Sequence, residues 1–361
     1  MPDLIVPEKK LTVTFSLEPA FNVISSLQLI NLVEQFSGFD EWIYHTATTL
    51  SPDRLRQNRL VIDALDPEAY LGKDAWPSFT AWLDDVAARD PAALRDRRMD
   101  DLVERAKETL DEEVPTPEQL LADRAAYLSL TERLQHCGGQ GECHDSELYQ
   151  EAYDLLNDPP AMQDLVVTYL RAMWDDVVAA EWERRLPLLQ EAIAAFQALD
   201  LTGMSCAETV YRVVGRELSS ECEKWQEEAG RITFIPSAHF GPYIGRMVRE
   251  NVVKLVFGAR VPEGASTSSP ELSRSELLMR LNALADETRL RILELLSGGE
   301  DMNSQEIMER LDLSQSAASR HLRQLAATGY LTVERREGAK VFRLNRDRID
   351  DTFGALKESV R

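Results

Sequence analysis

The chain has 361 residues, with 62 acidic side chains against 40 Lys and Arg and a formal net charge of −22. A surface this acidic excludes general binding to nucleic acid, and no run approaches the about 18 apolar residues that cross a membrane. The first residues lack the basic and apolar stretches of a secretory signal, and four cysteines are too few for a disulfide framework. We therefore expect a cytoplasmic protein of two or three domains with no membrane partner.

The N-terminal region, residues 1–260, is predicted to be helical with a small antiparallel sheet. Residues 11–17 alternate apolar and polar side chains, and short strand-like runs separated by Gly and Pro lie within 231–260. Helical periodicity fills the segment between these strands, and Pro187 is expected to interrupt or kink one helix. The candidate helices cover 20–36, 52–65, 78–88, 91–110, 117–135, 146–156, 161–200 and 206–228.

One short loop in this region contains four side chains that could bind zinc, namely His136, Cys137, Cys143 and His144. They come as two adjacent pairs, and neighbouring side chains seldom converge on one tetrahedral ion. We therefore interpret the loop as a Gly-rich surface connector, with metal binding and a redox-active thiol pair as alternatives. Cys206 and Cys222 lie 16 residues apart in one helical stretch. They are expected to be buried thiols too far apart to bridge each other.

Enzyme motifs are missing from the sequence. It contains no Gly-rich phosphate loop, no Gly-x-Ser-x-Gly elbow and no His-Glu-x-x-His. We therefore expect no enzymatic activity and no cofactor. Trp174 and Trp182 lie on one helical pattern and are expected in the core. An apolar effector pocket, if the protein has one, is expected along the helix that carries them.

A boundary follows the N-terminal region. Residues 261–274 are rich in Ser, Gly and Pro and predict a flexible linker. Beyond it, residues 275–361 predict a second domain. One of its helices is expected to begin after Asp286, and Asn303 with Glu306 forms a capping box that opens a short helix.

The helix that begins at Ser314 has the pattern of a DNA recognition helix. Ser314 is a suitable N-cap and Gly329 a suitable left-handed C-terminal cap. Ala318, Leu322 and Leu325 form one apolar stripe, so the polar side chains lie on the other faces. After the helix, residues 331–336 and 341–344 alternate around a turn at 337–339 and predict a two-stranded wing.

The basic charge of the chain is concentrated on this helix and wing. Residues 314–348 contain eight Lys or Arg against three acids. The outer face of the helix is therefore predicted to read bases in the major groove, and the wing to contact phosphates. The side chains predicted to contact DNA are Gln315, Ser316, Ser319, Arg320, His321, Arg323, Arg335, Arg336, Lys340 and Arg343.

Three segments carry a resemblance to a known family: ALADETRLRIL at 283–293, LDLSQSAASRHLRQLAATGYL at 311–331 and VERREGAKVFRL at 333–344. With these motifs, residues 275–345 resemble the winged helix-turn-helix domain of ArsR/SmtB bacterial transcriptional regulators. Two further runs, ITFIPSAHFGPYIG at 232–245 and KLVFG at 254–258, resemble the long form of that family, whose N-terminal domain has no established ligand. The resemblance implies double-stranded DNA as partner, a palindromic operator, a homodimer and, by family default, repression.

The metal ligands of that family are not present. The usual Cys-x-Cys pair would fall on Asn303 and Gln305, and neither is a thiolate. The resemblance therefore does not extend to arsenic, cadmium or zinc sensing.

The sequence as a whole predicts a mainly α-helical transcription regulator whose N-terminal region senses a signal such as a small-molecule effector. The alternative is an interaction scaffold whose N-terminal region binds a protein partner and whose DNA binding is secondary. A large exposed apolar patch on that region would favour the scaffold, and an enclosed pocket with converging polar groups would favour the sensor. At the end of the sequence an apolar stripe is expected to pack on the first helix of the C-terminal domain or on a partner subunit. It comprises Ile349, Phe353, Leu356 and Val360.

Overall fold

The computed structural model describes residues 12–110, 112–137, 145–215, 218, 221–222, 225, 229–249, 251–259, 274–336 and 339–360, without the side chains of 136, 137, 274–276, 335, 336 and 339. The chain divides into two compact units, which we treat separately. The helical unit consists of Glu18–Gln35 and Glu41–Arg184. The sheet–wing unit consists of Met1–Leu17, Phe36–Asp40 and Arg185–Arg361.

The helical unit is built from α-helices with two wider, π-helical turns. Its helices are α1 (Pro19–Asn31), α2 (Glu41–Thr49), α3 (Pro52–Asn58), a π-helix (Arg59–Leu65), a 3-10 turn (Pro67–Tyr70), α4 (Phe79–Ala88), α5 (Pro91–Thr109), α6 (Pro117–Ala122), α7 (Arg124–Cys137), α8 (Ser146–Leu156), α9 (Pro159–Met173) and a second π-helix (Trp174–Val178). The helix α10 (Ala179–Gln197) begins in this unit and ends in the other. Pro187 lies inside α10, so the helix is not interrupted there, and the expected alternative, a kink, stays a prediction.

Capping residues explain where these helices begin. Ser51, Ser78 and Asp90 each accept a hydrogen bond from a first-turn backbone N–H of α3, α4 and α5. Thr116 and Gln119 form a reciprocal capping box at α6. Trp174 stacks on Phe79 at 5.0 Å between ring centres, as expected of a core aromatic.

The sheet–wing unit contains two sheets and the C-terminal helices. Its elements are β1 (Thr12–Phe15), α11 (Cys206–Val214), β2 (Arg231–Ser237), β3 (Ile244–Arg249), β4 (Val252–Gly258), α12 (Arg274–Leu284), α13 (Glu287–Leu296), β5 (Met302–Asn303), α14 (Ser304–Leu311), α15 (Gln315–Ala327), β6 (Leu331–Arg336), β7 (Ala339–Leu344) and α16 (Arg346–Ser359). The mainly α fold with small sheets is confirmed, as is the helix that begins after Asp286.

The first sheet is mixed, so the predicted antiparallel arrangement of its strands is wrong. The strand order is β1-β2-β4-β3, in which β1 pairs with β2 and β2 with β4 in parallel, and only β3 and β4 are antiparallel. The reason lies in the connections. A long helical crossover separates β1 from β2, which permits parallel pairing. The β3–β4 hairpin turns at Asn251, with φ 67°, and returns β4 to the edge of β2 in the same direction.

Cys206 and Cys222 are both buried and free, in the core between α11 and the first sheet. The two thiols are close enough to form a hydrogen bond, although their sequence separation predicted that they would lie far apart. The helix α11 ends at Val214, and Gly215 follows with φ 69°, so Cys222 does not lie further along the same helix, as that prediction assumed.

The predicted domain boundaries stay predictions. The predicted linker, 261–274, lies outside the described residues except for Arg274. The division into compact units falls elsewhere, because it groups the first sheet with the C-terminal helices and the wing. Among the described residues, none of the helices combines the length and the apolar character needed to cross a bilayer.

Candidate nucleic-acid interface

The helices α14 and α15 form a helix-turn-helix. Asn303 and Glu306 make the predicted capping box at the start of α14. The turn passes through Asp312, which has φ 54°, and Ser314 then caps α15 by accepting a hydrogen bond from the backbone N–H of Ala317 at 3.3 Å. The three-residue turn therefore reverses the chain within the space that this motif requires.

The end of α15 is closed by a Schellman motif. Gly329 has φ 82°, its N–H donates to the carbonyl of Ala326, and the N–H of Tyr330 donates to the carbonyl of Leu325. A Cβ at Gly329 would also lie 2.8 Å from Nε of Arg348, which donates to the carbonyl of Thr328 at 3.0 Å. The predicted left-handed cap is therefore present, and Arg348 leaves no room for a larger residue.

The buried face of α15 anchors it in the core of the C-terminal helices. Ala318, Leu322 and Leu325 are buried, as the apolar stripe predicted. Leu322 and Leu325 pack with Ile292, Ile307 and other apolar side chains of the same core. The opposite face carries the polar side chains, so the helix presents a fixed polar surface.

The predicted base-reading residues fall into two groups on α15. Gln315 and Ser316 are exposed, and Ser319 and Arg320 are half-buried, near the beginning of the helix. The guanidinium of Arg320 has no hydrogen-bond or ion-pair partner among the described residues. These four side chains therefore lie together in the first half of α15, where the surface of the helix is accessible.

His321 does not lie on this open surface. Its side chain is buried, with Nδ1 3.6 Å from a carboxylate oxygen of Asp286. Burial lowers the pKa of His321, and Asp286 opposes that shift only in part. His321 is consequently a neutral core residue near neutral pH. A role of His321 in DNA contact stays a prediction, which the burial of its side chain does not favour. The helical pattern of the sequence could not distinguish this residue from its exposed neighbours.

Arg323 lies on the polar face of α15, where its guanidinium contacts an aromatic side chain. Its guanidinium carbon lies 4.8 Å from the ring centre of Phe36, and burial lowers the pKa of Arg323. Phe36, Phe39 and Tyr243 contact one another with ring centres 5.1–5.7 Å apart. We call these three residues the aromatic clamp. It provides a cation–π site that holds Arg323 against the segment 36–40.

Gln324, which was not predicted from the sequence to have a role, links α15 to the segment 36–40 by a hydrogen bond. Its Oε1 accepts hydrogen bonds from Oγ of Ser37 at 2.5 Å and from Nη1 of Arg289 at 2.7 Å. Gly38 lies so close that a Cβ there would be 2.8 Å from Nε2 of Gln324. The second half of α15 is therefore held by Phe36–Asp40, whereas its first half is open.

The wing is a hairpin of β6 and β7, in register from Leu331 opposite Leu344 to Arg336 opposite Ala339, with β5 paired on the outside of β7. Lys340 is exposed and has no polar partner among the described side chains. Arg343 instead forms a two-pronged ion pair with Asp301 at 2.7 Å for each contact.

The other predicted sites lie partly outside the described residues. The side chains of Arg335 and Arg336 are not described, and the same holds for His136, Cys137, Cys143 and His144, so their roles stay predictions. At the positions of the usual metal ligands, Asn303 acts as a helix cap, and Nε2 of Gln305 donates to Glu309 at 2.8 Å.

A comparison with known protein families agrees with this geometry. Residues 286–333, which cover α13, the helix-turn-helix and the first residues of the wing, match the family described as bacterial regulatory protein, arsR family. No curated protein and no solved structure matches the chain. The chain therefore carries an ArsR-type helix-turn-helix domain, which is a domain of DNA-binding transcription regulators, after a long N-terminal region.

Proposed function

We propose that the protein is a cytoplasmic, sequence-specific repressor that binds a palindromic operator as a homodimer. The observation that carries this proposal is that Arg320 on α15 and Lys340 on the wing have no hydrogen-bond or ion-pair partner within the part of the chain that the structure describes. An α-helix whose polar face carries Gln, Ser and Arg fits the major groove, and a basic wing beside it fits the flanking phosphates.

Exposed apolar residues of the C-terminal helices support the dimer. Phe353 on α16 is 52% exposed and Leu278 on α12 is 53% exposed. The helices α12 and α16 pack against each other. A second copy of this surface would cover both residues, and a twofold axis would place two recognition helices about 34 Å apart on DNA.

The distribution of exposed apolar side chains favours the hypothesis that the N-terminal region is a sensor over the hypothesis that it is an interaction scaffold. Of the large apolar side chains that are exposed in the described part of the chain, Leu188, Met204 and Tyr211 lie in the N-terminal region. The others lie in the C-terminal helices and the wing. None lies in the helical unit, which contains a cavity with both polar and aliphatic walls. The arsR family is regulatory and DNA-binding. We accordingly propose no catalytic role, and we assign signal sensing to the N-terminal region.

Selection from random DNA duplexes tests this proposal. The full chain is expected to enrich a palindrome, and fluorescence anisotropy should give a clear preference for it over a scrambled duplex at physiological salt. Sedimentation of the complex should give two chains per palindrome. Enrichment of no sequence would contradict operator reading, and one chain per site would contradict the homodimer.

A further inference from the structure

The helical unit contains a cavity of about 340 Å³. It lies between α1, the first π-helix, α5, α7 and the beginning of α8. This volume is at the lower end of the range for small-molecule sites. One part of its wall is aliphatic, formed by Leu32, Ile62, Leu102, Leu134 and Leu148.

Arg98, from α5, places a buried cation in the wall of this cavity. The residue is 2% exposed, and its Nη2 donates to the carbonyl of Ala64 at 3.1 Å. Its Nε and Nη1 are buried and have no hydrogen-bond partner among the described residues. No carboxylate of the described chain pairs with it either. A buried guanidinium without a counter-ion is costly to the fold, so its retention indicates a bound anion.

Asp63, from the π-helix, supplies a second polar group to the same cavity. Its Oδ2 accepts a hydrogen bond from Nδ2 of Asn31 at 2.9 Å, and its Oδ1 has no donor among the described residues. Burial raises the pKa of Asp63 to about 7. Near neutral pH this carboxyl is therefore only partly ionised, and it can either accept a hydrogen bond from a ligand or donate one.

We propose that this cavity binds a small organic carboxylate, held by Arg98, that also carries an amine or hydroxyl group for Asp63. The wall has two further arginines, Arg59 and Arg105, which are exposed, and Arg105 pairs with Asp66 at 2.6 Å. Arg98 is thus the buried cation of the wall, and it matches a single negative charge. A phosphate group would bring up to two negative charges close to Asp63 and to Asp66, which is also part of the wall. The aliphatic wall accommodates the carbon skeleton of the ligand.

The backbone supports the same assignment. Ile62 and Asp63 lie on the π-helix Arg59–Leu65, whose wider turn departs from regular α-helix at the cavity wall. Such turns are rare and occur frequently at functional sites. The role of the carboxylate as an effector rests on the proposed function, whereas its binding does not.

Thermal denaturation of the full chain without DNA tests the site. The probes are small carboxylates with an amine or hydroxyl, namely the proteinogenic amino acids, hydroxybenzoates and aminobenzoates, together with inorganic phosphate. At least one carboxylate is expected to raise the melting temperature by about 3–4 °C at a hundredfold excess over its Kd. Arg98→Met is expected to abolish this shift. Arg95→Met, with the same charge change on the same helix but outside the cavity wall, should keep it.

Arg98→Lys is a second variant in case Arg98→Met does not fold. It retains the charge but lacks the planar N–H geometry, so the carboxylate should bind at least tenfold more weakly. The proposal is overturned by a panel in which no carboxylate stabilises the wild type, by stabilisation from phosphate alone, or by equal binding to the Arg98 variants. Operator titration with the bound carboxylate then addresses regulation. An Arg98-dependent ligand that leaves operator affinity unchanged would contradict sensing but not the site.

Discussion

The guanidinium of Arg323 lies over the ring of Phe36, 4.8 Å from its centre, although the two residues are separated by almost the whole chain. The sequence predicts that Arg323 contacts DNA, but in the structure its side chain contacts another residue of the same chain. Contact with DNA requires Arg323 to leave the aromatic clamp, and the cation–π energy, ~0.5–1 kcal/mol, opposes that step.

Phe36→Leu is therefore expected to strengthen operator binding by about two- to fivefold, because it removes the π face and keeps an apolar side chain. Anisotropy titration against the selected operator measures the change. The matched control is the same substitution in an Arg323→Ala background, where no gain is expected. A gain of equal size in that background would show that Phe36 acts by another route.

Arg320→Ala should weaken operator binding and reduce discrimination between operator variants, since a lost base contact costs ~1–3 kcal/mol. Lys340→Ala should weaken binding to all sequences alike and reduce the salt dependence by about one phosphate contact. Titrations of both variants on operator and scrambled duplexes at several salt concentrations distinguish the two effects. An Arg320→Ala protein with unchanged affinity and specificity would contradict the assignment of α15 as the recognition helix.

Gly329→Ala is expected to destabilise the C-terminal helices by at least ~1 kcal/mol, because φ 82° is strained for alanine and the new Cβ would meet Arg348. Chemical denaturation followed by circular dichroism measures the loss. Gly354→Ala is the control, since Gly354 lies inside α16 with open space around it, and alanine there should stabilise by ~0.5–1 kcal/mol. Destabilisation of the same size at both positions would refute the argument from backbone conformation.

Asp63→Asn is expected to change how stability depends on pH. The pKa of Asp63 is raised by burial from 3.8 to about 7, so the folded state binds more protons than the unfolded state between these values. Its contribution is therefore most favourable below pH 3.8 and is lost as the pH rises through about 7. Asparagine does not ionise, so the Asp63→Asn protein does not lose this stability as the pH rises. Because the carboxyl partly faces the cavity, we expect a gain of ~1–2 kcal/mol at pH 8 and little at pH 5. Melting curves with the same gain at both pH values would contradict the shifted pKa.

Purified protein is expected to contain no stoichiometric zinc, and a chelator should leave operator affinity unchanged. The reason is the arrangement of His136, Cys137, Cys143 and His144 as two adjacent pairs. Elemental analysis provides the measurement. About one metal per chain, lost in a Cys137→Ser/Cys143→Ser double mutant, would instead establish a metal site.

The parts of the fold that local chemistry determines were predictable from the sequence. Ser314, Asn303 and Gly329 act at helix ends through their own backbone and side-chain geometry, and each occupies its predicted position. The apolar stripe of α15 was predictable for the same reason, since helical periodicity alone defines it.

The parts that depend on contacts distant in sequence were not predictable. The strand β3 comes between β2 and β4 in the sequence but lies at the edge of the sheet, so β4 runs parallel to β2. The alternation of residues within a strand does not predict this arrangement. His321 and Arg323 look like their exposed neighbours until Asp286 and Phe36 are placed beside them. The effector pocket expected along the helix of Trp174 and Trp182 stays a prediction. Arg98 and Asp63 of the proposed carboxylate site come from other helices and belong to no sequence motif.

Three consecutive residues, Gln35–Ser37, make contacts with the cavity and with α15. Gln35 lines the cavity of the helical unit, and the next residue, Phe36, holds Arg323. Ser37, which follows, donates to Gln324. A single peptide bond thus separates a residue that a ligand could touch from one that restrains α15.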